Sequence, residues 1–76
     1  LPIKFKISSD RLVRLEIYDI TGTRISRLTE SQFNAGWNTY RWDGLTENGQ
    51  KIGSGFYILT IHSGEYSAWK KLIIVR

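Results

Sequence analysis

Leu12-Val-Arg-Leu-Glu-Ile-Tyr18 decides the fold class. Val13, Leu15 and Ile17 fall on one side of an extended chain, and Arg14 and Glu16 fall on the other. That is the period of two expected of a strand with one dry face and one wet face. The stretch is rich in β-branched and aromatic residues, which favour strands. Asp19-Ile-Thr-Gly22 follows as a tight turn, because Asp bonds the backbone ahead of it and Gly accepts positive φ.

The same grammar continues on both sides. Ile3 to Ile7 alternates apolar and basic residues, and Ser8-Ser9-Asp10 turns the chain into the Leu12–Tyr18 strand. Arg24 to Leu28 reads as a third strand, followed by a loop from Thr29 to Gly36. Trp37 to Trp42 reads as a fourth strand with Asn38, Tyr40 and Trp42 on one face, closed by Asp43-Gly44. Glu47-Asn48-Gly49 is a hairpin-type turn, with a short strand near Lys51-Ile52. Phe56 to His62 is a strand carrying Tyr57, Leu59 and Ile61 on one face. Tyr66 to Val75 is the last strand, and its continuous apolar run Leu72-Ile-Ile-Val75 predicts partial cover on both faces.

Six or seven strands with turn signals at short, regular spacing predict an all-β fold, a small immunoglobulin-like antiparallel β-sandwich. Composition agrees. There are ten Ile, ten aromatics and six Thr against two Ala, the best helix former. The 76 residues, 41% hydrophobic, suffice for one core, so residues 1–76 are expected to be a single module. With no Cys there is no disulfide framework, no thiolate metal site and no Cys nucleophile. No apolar run is long enough for a membrane-spanning helix.

Charge and chemistry narrow the function. The net charge is 11 − 7 = +4. The basic residues Lys4, Lys6, Arg11, Arg14, Arg24, Arg27, Arg41, Lys70 and Lys71 are spread over most strands. That distribution suits wet sheet faces and guarded edges better than a nucleic-acid surface. His62 is the only His, and nothing marks Ser54, Ser63 or Ser67 as a nucleophile beside it, so no catalytic residue is assigned. Asp43 to Gly49 is oxygen-rich but does not match the calcium-loop spacing, and Asp19 with Thr21 is weaker still. No metal and no cofactor is expected. Trp37 and Trp69 alternate out of phase with the core and, with Phe33, form an alternative glycan-contact set.

The second half carries a specific order of residues: Gly36-x5-Trp42-Asp43-Gly44-x4-Gly49-x5-Gly55-x-Tyr57. Leu15-x-Ile17-Tyr18-Asp19-x-x-Gly22 precedes it, and Lys71 leads into the apolar end. This pattern resembles two related bacterial families. One is the immunoglobulin-like domain of the flagellar hook-capping protein. The other is the type A C-terminal sorting domain of proteins exported by the type IX secretion system. Both are β-sandwiches, and Tyr18, Asp19, Gly22, Gly36, Trp42, Asp43, Gly44 and Gly49 act in this reading as fold signature.

The ending Lys70-Lys71-Leu72-Ile73-Ile74-Val75-Arg76 is similar to the close of a sorting domain. The sorting resemblance implies a non-catalytic C-terminal fragment of a larger secreted protein. Its destination would be the bacterial cell surface, by way of the periplasm. Its partners would be the outer-membrane secretion machinery, recognised by strand addition, and a parent catalytic or adhesive domain. Lys70 to Arg76 would make that contact, with Gly55 and Tyr57 holding the sheet in shape. Such a module is expected to be a monomer when isolated. The hook-cap resemblance implies instead a structural or assembly domain that packs against sibling subunits.

Overall fold

The computed structural model describes residues 1–76. Six strands run in sequence: β1 (Pro2–Ile7), β2 (Arg11–Asp19), β3 (Arg24–Phe33), β4 (Gly36–Arg41), β5 (Gly55–Ser63) and β6 (Tyr66–Ile74). They form two antiparallel sheets, one of order β1-β4 and one of order β3-β2-β5-β6. The protein is an all-β, immunoglobulin-like sandwich without helices.

Alternation places the core. Ile3, Phe5 and Ile7 of β1 face Val13, Leu15 and Ile17 of β2 and Leu59 of β5, and all are buried. Trp42 and Ile52 complete this single cluster from the connection between β4 and β5. Burial of each such aliphatic side chain contributes about 1.5–3 kcal/mol, which is the main favourable term in a domain this small. Phe33 closes one end, its ring meeting Phe5 edge-on at 5.1 Å between centroids. The Tyr40 hydroxyl donates to the Leu28 carbonyl at 2.7 Å and ties the small sheet to β3.

The structure corrects the sequence reading at four places. β3 continues to Phe33, where a loop from Thr29 was expected. Its pairing with β2 slips twice, between Leu15 and Glu16 and between Ile17 and Tyr18. Each slip inserts one extra residue, Leu28 and then Ile25, on the β3 side. These bulges let Ile25 and Leu28, three apart in sequence, both pack on the core. A strict two-residue period cannot do that, so the strand was hidden from periodicity.

The second correction concerns β6. Leu72 and Ile74 are half-buried, but Ile73 is 65% exposed and Val75 beyond the strand is 85% exposed. β6 lies at the sheet edge and only its inner face meets the core, so the apolar run is not covered on both sides. The third correction is the short strand expected near Lys51-Ile52, which is a single bridge, Leu45 to Lys51. The fourth correction is Glu16, placed on a wet face by alternation but only 3% exposed.

Candidate functional site

The outer face of the large sheet changes character from one edge to the other. Register places Arg27, Glu16, Thr60 and Trp69 in one row across all four strands. At the β3 end the row is ionic. At the β6 end it is aromatic and aliphatic.

Glu16 is the centre of the ionic half. Its Oε1 lies 3.3 Å from Arg14 Nε, and its Oε2 lies 3.3 Å from Arg24 Nη1 and 3.4 Å from Arg27 Nε. The Tyr18 hydroxyl donates to Oε1 at 3.2 Å. Burial pushes the Glu16 pKa up, but the Arg14 charge and the hydrogen bonds from Tyr18, Arg27 and Arg24 outweigh it. The net displacement is downward from the ordinary value. Arg24 and Arg27 are three apart in sequence, and the β3 bulge between them brings both to one carboxylate. Sequence reasoning missed this cluster because it assumed a regular strand. The signal was present in the paired spacings Arg24/Arg27 and Ile25/Leu28.

The Leu45–Lys51 loop folds over the exposed edge of β3. Glu47 accepts from the Arg27 backbone N–H at 3.0 Å, and its own N–H donates to the Ile25 carbonyl at 3.2 Å. The same Glu47 oxygen lies 2.9 Å from Arg24 Nε. Asp43 accepts from the Leu45 N–H at 3.0 Å, and Thr46 Oγ1 accepts from the Asn48 and Gln50 N–H groups. The oxygen-rich stretch from Asp43 to Gly49 therefore spends these groups on its own turn and on β3. Gly44 and Gly49, at φ +77° and +81°, hold the backbone conformations this loop needs.

Asp19 works in the same way. Its Oδ1 accepts from the Thr21 hydroxyl at 2.6 Å and from the Thr21 and Thr23 N–H groups at 2.9 and 3.0 Å. The Thr21 hydroxyl, followed by the Thr23 backbone, holds its carboxyl below the ordinary value. Gly22 and Gly36 take positive φ at neighbouring turns. Trp42 is buried and donates its indole N–H to the Leu45 carbonyl at 3.2 Å. These signature residues all sit in turns, in strand pairing or in the core.

The β6 half of the face is open. Phe56, Trp69 and Ile73 are each at least half exposed, and the Lys71 ammonium stands 4.4 Å above the Phe56 ring. Lys70 is exposed on the inner side of the same strand. Gly55 pairs with Ile74, and the Tyr57 hydroxyl donates to the Gly53 carbonyl at 2.9 Å. Arg76 donates from its backbone to Ser54 Oγ at 2.9 Å and from its guanidinium to the Gly44 carbonyl at 3.0 Å.

Other sequence candidates are scattered. Trp37 lies on the outer face of the small sheet, opposite Lys6 in register, while Trp69 lies on the outer face of the large sheet. With Phe33 packed on Phe5, the three aromatics do not share a surface. His62 is half-buried opposite Arg14 and Ser67.

Comparison with known proteins gives one family. The model of the FlgD Ig-like domain matches residues 2–67. No curated protein and no solved structure matches the chain. The matched region ends at Ser67, the second residue of β6, so all of Lys70 to Arg76 lies beyond it.

Proposed function

This chain belongs to the FlgD Ig-like domain family, and on that premise we propose that it is a non-catalytic structural and assembly module. It works by packing against other protein surfaces, as the hook-cap resemblance implies. The family match across residues 2–67 carries this reading. The distribution of polar groups supports it. The carboxylates of Asp19, Asp43 and Glu47 are engaged in turns, and Glu16 is enclosed by three arginines. The exposed large apolar side chains include Trp37, Trp69, Phe56 and Ile73. Exposed apolar groups of this kind are contact surface rather than chemistry.

The ending Lys70 to Arg76 is what sets the type IX sorting reading apart from the hook-cap one, and the family match does not reach it. The assembly reading is therefore preferred. Sedimentation velocity over a wide concentration range tests it. Packing against sibling subunits predicts a sedimentation coefficient that rises with concentration and a Trp69→Ala variant that rises less. A strict monomer at the highest soluble concentration would remove self-packing as the mode of assembly.

A further inference from the structure

The large sheet has two edges, and only one is closed. β3 is twisted by two bulges, and Glu47 occupies its free N–H at Arg27. β6 pairs with β5 in unbroken register from Gly55–Ile74 to Ser63–Tyr66. On its other side, none of the backbone or side-chain hydrogen bonds outside the sheets reaches a backbone group of Tyr66 to Ile74. The N–H and C=O groups of alternate residues along this nine-residue strand, those aimed away from β5, therefore face solvent. Such an edge is a template for one more strand.

The side chains decide what that strand is. Trp69, Lys71 and Ile73 alternate on the outer face of β6, and Lys70 stands at its centre on the inner face. A second copy of β6 laid antiparallel about its centre would set Lys70 directly opposite Lys70 and Lys71 diagonal to Lys71. Like charges directly opposite are destabilising. There is no acidic residue between Tyr66 and Arg76 to relieve them. Charge therefore disfavours self-pairing and favours an acidic strand.

We infer that β6 accepts an extended segment of another protein by strand addition. That segment carries carboxylates opposite Lys70 and Lys71 and apolar side chains opposite Trp69 and Ile73. The inference rests on the assembly reading and names the partner chemistry for one edge. It uses the edge and not the outer face, so its failure and that of sibling packing are separable: sedimentation reports the latter and peptide titration the former.

The test uses the 76-residue chain and a synthetic peptide as long as β6, valine and isoleucine alternating with threonine around two central glutamates. Expected are saturable quenching or shift of tryptophan emission below about 1 mM peptide and slowed amide exchange confined to β6. Lys70→Glu with Lys71→Glu should weaken binding about tenfold, and a peptide with lysines in place of the glutamates should restore it. If the reversed variant loses the native amide spectrum, Lys70→Gln with Lys71→Gln replaces it and should weaken binding in the same direction. No saturation at that concentration, or equal binding of both peptides by the native chain, would overturn the inference. So would undiminished binding of a peptide N-methylated at alternate residues, which adsorbs to a face but cannot pair. Protection of β6 amides that grows with protein concentration alone would point to a second copy and overturn it as well.

Discussion

β3 and β6 flank the same sheet and carry opposite solutions to the same problem. β3 is irregular, charged and covered: its bulges turn the backbone, its Arg24 and Arg27 join Arg14 of β2 around Glu16, and Glu47 clasps the edge. β6 is regular, apolar and bare, guarded only by two lysines. An edge that must not pair is blunted by geometry. An edge left straight, with charge as its only guard, is selective instead of closed. The difference teaches that bulges and cover exclude every strand, whereas charge excludes only strands of the same sign.

The sharpest way to break the comparison is to remove the floor the two edges share. Leu59 is buried under β5, next to both β2 and β6. Leu59→Ala should cost about 3 kcal/mol, read as a lower urea midpoint at unchanged slope. For a chain of this length, that is a large share of a total of about 4–11 kcal/mol. Both edges should then exchange amides at nearly the global rate.

Glu16 separates the edges. Glu16→Gln leaves three arginines around a neutral amide. Removing one partner of a buried ion pair costs about 3–5 kcal/mol, but these arginines are 36–45% exposed and can turn to water. About 2 kcal/mol is therefore expected, with exchange accelerated in β3 before β6. The pH dependence has a definite sign. The folded pKa of Glu16 lies below its ordinary value of 4.5, so its contribution is complete above that pH. It is lost as pH falls through the lower folded value. Denaturation at a series of acidic pH values should show a shallower loss in the Gln variant, and an identical slope would contradict the cluster's role.

Glu47→Ala tests the clasp. It removes an acceptor from the Arg27 N–H and a partner from Arg24, for about 1 kcal/mol. Faster exchange of the Arg27 amide should accompany it, along with a greater tendency to aggregate through β3. The smallest effect is expected at the bare edge. Trp69 is 71% exposed, so Trp69→Ala should change stability by less than about 0.5 kcal/mol. A larger loss would show that β6 depends on its outer face after all.

Much of the fold was legible from alternation. β1, β2, β4 and β5 obey the two-residue period, and Val13, Leu15, Ile17 and Leu59 are buried on the face it assigned. β3 was legible only to Leu28, because two bulges reset its phase and the sequence carries no mark of them beyond the spacing of three. Glu16 was misplaced for the same reason: a wet position on a sheet becomes dry when bulges aim two extra guanidiniums at it. The apolar run of β6 was read as cover on both sides, because composition does not reveal which strand will lie last in a sheet. Turn residues were the most legible of all, since Asp19, Gly22, Asp43, Gly44 and Gly49 declare their conformations locally.

The Trp42–Gly44 corner holds both extremities of the described chain. Leu1 exchanges backbone hydrogen bonds with Trp42 at 2.7 and 2.9 Å, and the Arg76 guanidinium reaches the Gly44 carbonyl. Tension applied between Leu1 and Arg76 would thus load the first rung of the β1–β4 ladder and the last rung of the β5–β6 ladder, one bond at a time. Strands pulled this way peel like a zipper instead of shearing along their length. The β2–β3 pair locked by Glu16, which neither pulled end loads directly, would be the last to open.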